Sequence, residues 1–149
     1  MDLLAHMAGA FALGALLIHL GTSLSAARRC RKPAARKPPL TGGPAVTIIR
    51  PLCGVDAHEE ETLRSTFHLD HPDLEILLCC ASAADPVVPL ARRLIAEHPN
   101  VNARLLIGED RISDNPKLNN VVKGWRAASH DWIVIADSNV DMPRDYVQR

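Results

Sequence analysis

From residue 45 onward, apolar residues come in four short, almost unbroken runs: VTII, LEILLCC, ARLLI and WIVIA. Their last members fall near residues 50, 79, 107 and 136, so the runs recur every 28 or 29 residues. That is the size of one strand–helix–strand unit. Runs without polar alternation predict strands buried on both faces of a parallel sheet. The segments between them carry helix signals. Asp56 and Glu59 form a capping-box pattern, Glu59 to Glu61 suit a helix N-terminus, and Leu63 and Phe67 are placed to face the sheet. Asp85 reads as an N-cap and Pro86 as a first helical residue, followed by a stripe of Val87, Leu90, Ala91, Leu94 and Ile95. In the third segment Asn115 caps, Pro116 starts, and Leu118, Val121, Val122 and Trp125 form the expected buried stripe. The alternation predicts a doubly wound α/β domain with a mostly parallel, Rossmann-like sheet.

The N-terminal pattern is different. Residues 3 to 27 contain no Asp, Glu, Lys or Arg. As a helix they would span about 37 Å, more than the roughly 30 Å hydrocarbon core of a bilayer. A basic run follows, with Arg28, Arg29, Arg31, Lys32, Arg36 and Lys37. A secretory signal carries its positive charge before the apolar stretch. The reversed order predicts a transmembrane helix with its basic side, and hence the following domain, in the cytoplasm. A cleaved or merely amphipathic segment is the alternative. Pro33, Pro38, Pro39 and the TGGP at 41–44 then mark a linker. The organisation expected is a membrane helix over 1–27, a basic, proline-rich juxtamembrane linker over 28–44, and an α/β domain over 45–149.

Composition narrows the function classes. A net charge of zero and 3% aromatic residues argue against nucleic-acid binding. Cys30, Cys53, Cys79 and Cys80 make no C-x-x-C pair, which disfavours zinc-ribbon and thioredoxin-like chemistry. The glycine-rich phosphate loops are missing, HEEET lacks the second histidine of a metalloprotease motif, and HLDH at 68–71 reads as a turn before Pro72.

In an open α/β sheet, ligands bind beyond the carboxyl ends of the strands. The groups expected there are Arg50, Pro51 and the CGVD turn, then Asp85, then GEDRISDNPKLNN, then Asp137 in DSN. Asp85 has two readings, a helix cap or a ligand contact. Asp137 is either a turn residue or a carboxylate aimed into a site. Lys117 falls in the first turn of a helix, where the macrodipole disfavours a cation unless an anion docks beside it. Two strand-end aspartates with a lysine and asparagines between them suit a nucleotide-sugar site: one carboxylate accepts hydrogen bonds from the nucleoside, the other holds Mg²⁺ or Mn²⁺ against a diphosphate.

At RPLCGVD (50–56), LEILLCCASAADP (74–86), PNVNARLLIG (99–108), NPKLNN (115–120) and DWIVIADSNV (131–140), the chain resembles GT-A glycosyltransferases. Within them it is most similar to the ceramide glucosyltransferases and their bacterial, hopanoid-associated relatives. The resemblance implies a GT-A nucleotide-sugar-binding half-domain and a UDP-sugar donor whose sugar, of glucose or N-acetylglucosamine type, passes to a lipid hydroxyl such as ceramide or a hopanoid. It implies donor contacts from Pro51, Asp85, Lys117, Asn119 and Asp137. Asp137 would open a D-x-D-type metal element whose third position is Asn139 here, with Asp141 as the substitute ligand. The family's catalytic base and R-x-x-R-W element are expected beyond Arg149, which makes this an N-terminal portion of a longer enzyme, expected in a bacterial inner membrane. A polyprenyl-phosphate sugar transferase and a non-catalytic, membrane-tethered nucleotide-binding module are the rival readings.

Overall fold

The structure is a computed structural model that describes residues 2–30 and 43–148. It divides into two compact units, residues 1–36 and 37–149. In the first, helix α1 (Asp2–Cys30) has Arg28 and Arg29 in its last turn. Between Leu3 and Arg29 it is long and apolar enough to cross a membrane. Every residue of α1 from Leu3 to Arg29 is exposed. The remaining basic residues, Arg31 to Lys37, and the linker prolines 33, 38 and 39 lie outside the described residues.

In the second unit the chain runs β1 (Val46–Leu52), α2 (Glu59–Thr66), β2 (Leu74–Cys80), α3 (Val87–Glu97), β3 (Asn102–Ile107), α4 (Pro116–Ala127) and β4 (Trp132–Ile135). Among the described residues the strands form one sheet in the order β3-β2-β1-β4. All neighbours are parallel, with Ile48 facing Ile76 on one side and Val134 on the other. The chain steps outward from β1 to β3, then crosses back through α4 to place β4 beside β1. Parallel crossovers are right-handed, so this reversal puts α2 and α3 on one face and α4 on the other.

Burial follows from that layout. Leu63 of α2 and Phe67 at its C-cap pack with Val87, Ala91 and Leu94 of α3 over Ile76, Leu78 and Cys80. A fully buried Leu of this kind stabilises by about 1.5–3 kcal/mol. Val46, Ile48, Ala136 and Met142 form a second cluster on the same face, while Ile49, Leu77 and Cys79 lie under α4.

Three expectations change. Strands β3 and β4 are not buried on both faces: no residue of β3 is fully buried, and in β4 Trp132 is 65% and Ile135 47% exposed. Both are edge strands, and α4 lies over β1 and β2. The stripe expected on α4 is not buried: Leu118 is 43% and Trp125 60% exposed, and Val121 and Val122 are half-buried. The face on the sheet is Asn119, Asn120 and Gly124. A Cβ at Gly124 would come within 2.6 Å of Ile49 Cγ2 and 3.0 Å of Cys79 Sγ, so this contact is close enough to set the helix's rotation. Finally, the capping box is not formed. His58 sits at the N-cap of α2 without a side-chain bond. The Asp56 carboxylate instead accepts from His58 N at 2.9 Å, and Glu59 turns inward to 3% exposure. The Asn115–Pro116 start is as expected: Asn115 Oδ1 accepts from Lys117 N and Leu118 N.

Candidate functional site

The strand order reverses between β1 and β4, and the carboxyl ends of β1, β2 and β4 leave a cavity of about 490 Å³ there. Its walls include Pro51, Asp85, Asn120, Lys117, Asp137 and Asn139. Such a crevice is the expected ligand position in an open α/β sheet.

Each wall is built by a local device. After β1 the chain turns at Gly54, whose φ of 72° strains any other residue. That turn aims the Gly54 N–H at Asp85, which accepts it at 3.0 Å on Oδ1 and 3.2 Å on Oδ2. Asp85 Oδ1 also accepts from Val87 N at 2.9 Å. The two readings of Asp85 are therefore not exclusive. It accepts the first N–H of α3 from the residue before the N-cap, ties the β1 and β2 turns together, and lines the cavity. Helix α3 itself starts one residue later than expected, with Pro86 at the N-cap.

On the opposite wall, the Lys117 ammonium lies 2.6 Å from Asp137 Oδ1, with both side chains about half exposed. The lysine in the first turn of α4 thus lies beside a carboxylate of the chain itself. Asn139 also lines the cavity, whereas Asp141 is absent from its lining. Asp137 and Asn139 offer two hard oxygen donors on one short turn, and Asp137 already holds a cation, the lysine's. That set fits Mg²⁺ or Mn²⁺, which keep several waters and share substrate phosphates rather than filling an all-protein cage. Among the described residues no group of three or more His, Cys, Asp and Glu could hold a metal alone.

Asn119, expected at the donor, is 2% exposed and outside the cavity lining. Its Oδ1 accepts from Ile112 N at 3.1 Å and Ser113 N at 3.0 Å, and its Nδ2 donates to Ser113 O at 3.0 Å. It fixes the loop before α4. Asn120 is the one that lines the cavity, donating to Leu52 O at 3.4 Å.

Lys123 escaped the sequence reading. Its ammonium donates to Cys80 O at 2.7 Å, Gly108 O at 2.5 Å and Asn120 Oδ1 at 3.2 Å. It neutralises the carbonyl ends of β2 and β3 and orients Asn120; burial lowers its pKa. A lysine on the expected solvent side of an amphipathic helix carried no signal for this. In the HLDH segment His71 Nδ1 lies 3.1 Å from Asp73 O, and Asp70 pairs with Arg144 at 2.6 Å.

The fold and cavity can be set beside known proteins. Ceramide glucosyltransferase of Komagataella phaffii is 43% identical over 107 residues, covering 69% of this chain and 21% of that protein. Ceramide glucosyltransferase 1 of Caenorhabditis elegans is 34% identical over 102 residues, covering 68% and 22%. The chain spans about a fifth of the length of these curated relatives. Among solved structures, a mannosyltransferase from Pyrobaculum calidifontis in complex with GDP-Man and Mn²⁺ matches with a TM-score of 0.60 at 28% identity, covering 91% of this chain and 41% of that one. The domain is accordingly a GT-A-like α/β fold behind an apolar N-terminal helix. The family model described as glycosyl transferase family 21 matches residues 6–149, taking in most of α1 and the whole sheet unit together, and the chain therefore belongs to glycosyl transferase family 21.

Proposed function

We propose that this chain is the donor-binding portion of a membrane-anchored glycosyltransferase that passes a hexose from a UDP-sugar to a lipid hydroxyl of the ceramide or hopanoid kind. The observation that carries this is the convergence of Asp85, Lys117, Asp137 and Asn139 on one cavity at the sheet's reversal point. Asp85 faces the nucleoside end. Lys117 stands at the N-terminus of α4, where its charge and the positive end of the helix dipole favour a diphosphate. Asp137 and Asn139 would hold a divalent cation, whose charge would offset that of the diphosphate leaving group. Helix α1 crosses the membrane, and the basic residues that follow it keep the sheet unit in the cytoplasm. The relatives support the ceramide-type acceptor and the solved mannosyltransferase supports metal use, each by similarity.

The test is calorimetric titration of UDP and GDP into the chain, with and without Mn²⁺, for wild type and Asp137→Asn. Wild type binds UDP in preference to GDP and needs Mn²⁺ for full affinity. Asp137→Asn keeps its melting temperature, because the residue is exposed and nearly isosteric, but loses most of the UDP affinity that Mn²⁺ adds. A turn aspartate would tolerate the change, since Asn is itself a good turn residue. Unaltered metal dependence in the variant sinks the assignment of Asp137. Equal UDP binding with and without Mn²⁺ in wild type sinks the metal site.

A further inference from the structure

Arg50 sits inside β1 with no solvent exposure. A buried cation is costly, and a packed apolar residue of similar size would often be no less stable. The geometry shows what the guanidinium reaches. Nη1 donates to Thr66 Oγ1 at 2.7 Å. Nη2 donates to Ser138 O at 2.6 Å and to Val140 O at 3.2 Å. Both carbonyls belong to the turn that carries Asp137 and Asn139.

Helix α2 grips the same turn. Thr62 Oγ1 donates to Ser138 O at 2.7 Å, and Ser65 Oγ accepts from Met142 N at 2.9 Å. Thr62, Ser65 and Thr66 stand at i, i+3 and i+4, so they form a hydroxyl stripe along one side of the helix. By contrast, the turn's own backbone ladder is the single bond from Val140 N to Asp137 O at 3.1 Å. Its shape is therefore imposed from beneath. Arg50 keeps its charge at neutral pH, since burial brings its pKa down only to about 10 while Glu59, Tyr146, Asp137 and Asp141 support it.

We propose that Arg50 and the Thr62–Ser65–Thr66 stripe of α2 are positioning residues for the proposed metal turn. They draw the carbonyls of Ser138 and Val140 inward, so that Asp137 and Asn139 face the cavity together. The proposal rests on the donor-site reading above, and groups that fix metal ligands from behind typically change metal affinity by about 10- to 100-fold when altered.

The experiment compares wild type, Thr62→Val and Arg50→Lys in the full chain in detergent. Three quantities are read: hydrogen exchange of the Val140 amide, the Mn²⁺ concentration that gives half-maximal UDP binding, and the melting temperature. Thr62→Val removes one bond to Ser138 O at nearly constant volume. Arg50→Lys keeps the charge but loses the planar fork that spans Thr66, Ser138 and Val140 at once. Both variants exchange Val140 faster and require about tenfold more Mn²⁺, while UDP affinity at saturating Mn²⁺ stays near wild type. A wild-type Mn²⁺ requirement in Arg50→Lys reduces Arg50 to a buried counter-charge and overturns the proposal. Unchanged Val140 exchange in both variants overturns it as well. If Arg50→Lys does not fold, Thr62→Val decides the matter alone. If wild type shows no Mn²⁺-dependent UDP binding, the donor reading falls, and Val140 exchange still decides whether these residues set the turn.

Discussion

The Lys117–Asp137 pair joins the two residues proposed to meet the diphosphate and its cation. Both side chains are about half exposed, so the pair itself contributes roughly 0–1 kcal/mol. Its interest is competition, because an ammonium 2.6 Å from Asp137 occupies the carboxylate that a metal would use. Lys117→Met should therefore shift two constants in opposite directions. Mn²⁺ alone binds more tightly, since nothing contests Asp137. UDP at saturating Mn²⁺ binds more weakly by about 1–3 kcal/mol, the usual cost of losing a charged hydrogen-bond partner. Separate calorimetric titrations of Mn²⁺ and of UDP read the two. If both constants move the same way, the lysine does not alternate between carboxylate and phosphate. At this scale much of the site was legible in the sequence. Asp137 ends an apolar run, and Lys117 violates the helix-dipole preference. The choice between Asn119 and Asn120 was not legible. Adjacent helical residues point about 100° apart, and only the packing of α4 decides which of the two faces the cavity.

That packing is an element-scale property. The Asn115–Pro116 start of α4 followed from capping chemistry, but its buried face did not. Leu118, Val121, Val122 and Trp125 satisfy apolar periodicity, yet Leu118 and Trp125 are exposed. What outweighs periodicity is close approach and polar satisfaction. Gly124 lets the helix settle onto Ile49 and Cys79, while Lys123 serves the strand-end carbonyls. Small and polar residues leave no hydrophobic signal, so a pattern search passes over them. Gly124→Ala tests the argument, because helix propensity and packing oppose one another. Propensity alone gains about 1 kcal/mol. A Cβ placed 2.6 Å from Ile49 Cγ2, with Ile49 fully buried, carries an overpacking cost toward the upper end of about 1–3 kcal/mol. Packing wins, so the thermal melt falls. A rise would mean that α4 does not rest on the sheet through Gly124.

The whole sheet unit is polarised. Its carboxyl edge carries the cavity, and near its amino edge a second polar centre ties the strands together. Glu75, 1% exposed in β2, accepts from Thr47 Oγ1 of β1 at 2.8 Å, from Arg104 of β3 at 2.7 Å, and from Ser129 N at 2.8 Å and Oγ at 2.9 Å in the approach to β4. Burial by itself would raise its pKa. The bonds from Ser129, Thr47 and Arg104 outweigh burial and hold the carboxyl at about 2 rather than 4.5. A depressed carboxylate stabilises the fold fully above its unfolded pKa, and the contribution is lost as pH falls from about 4.5 through about 2. The drop corresponds to about 3 kcal/mol. Two other groups act in acid. Glu60 is also held at about 2, by Arg93 and Arg64, but at the surface, where salt screens it. Glu59 acts oppositely: burial raises its pKa, so protonation there favours the folded state. Glu75→Gln at high salt therefore isolates the buried centre. Against wild type, the variant unfolds in less urea at pH 7, by about 3 kcal/mol. The gap narrows steadily as pH falls below about 4.5, because wild type surrenders the same interaction. A gap that stays constant between pH 7 and pH 2.5 would mean that Glu75 holds the strands through packing and neutral hydrogen bonds, and that its charge adds nothing.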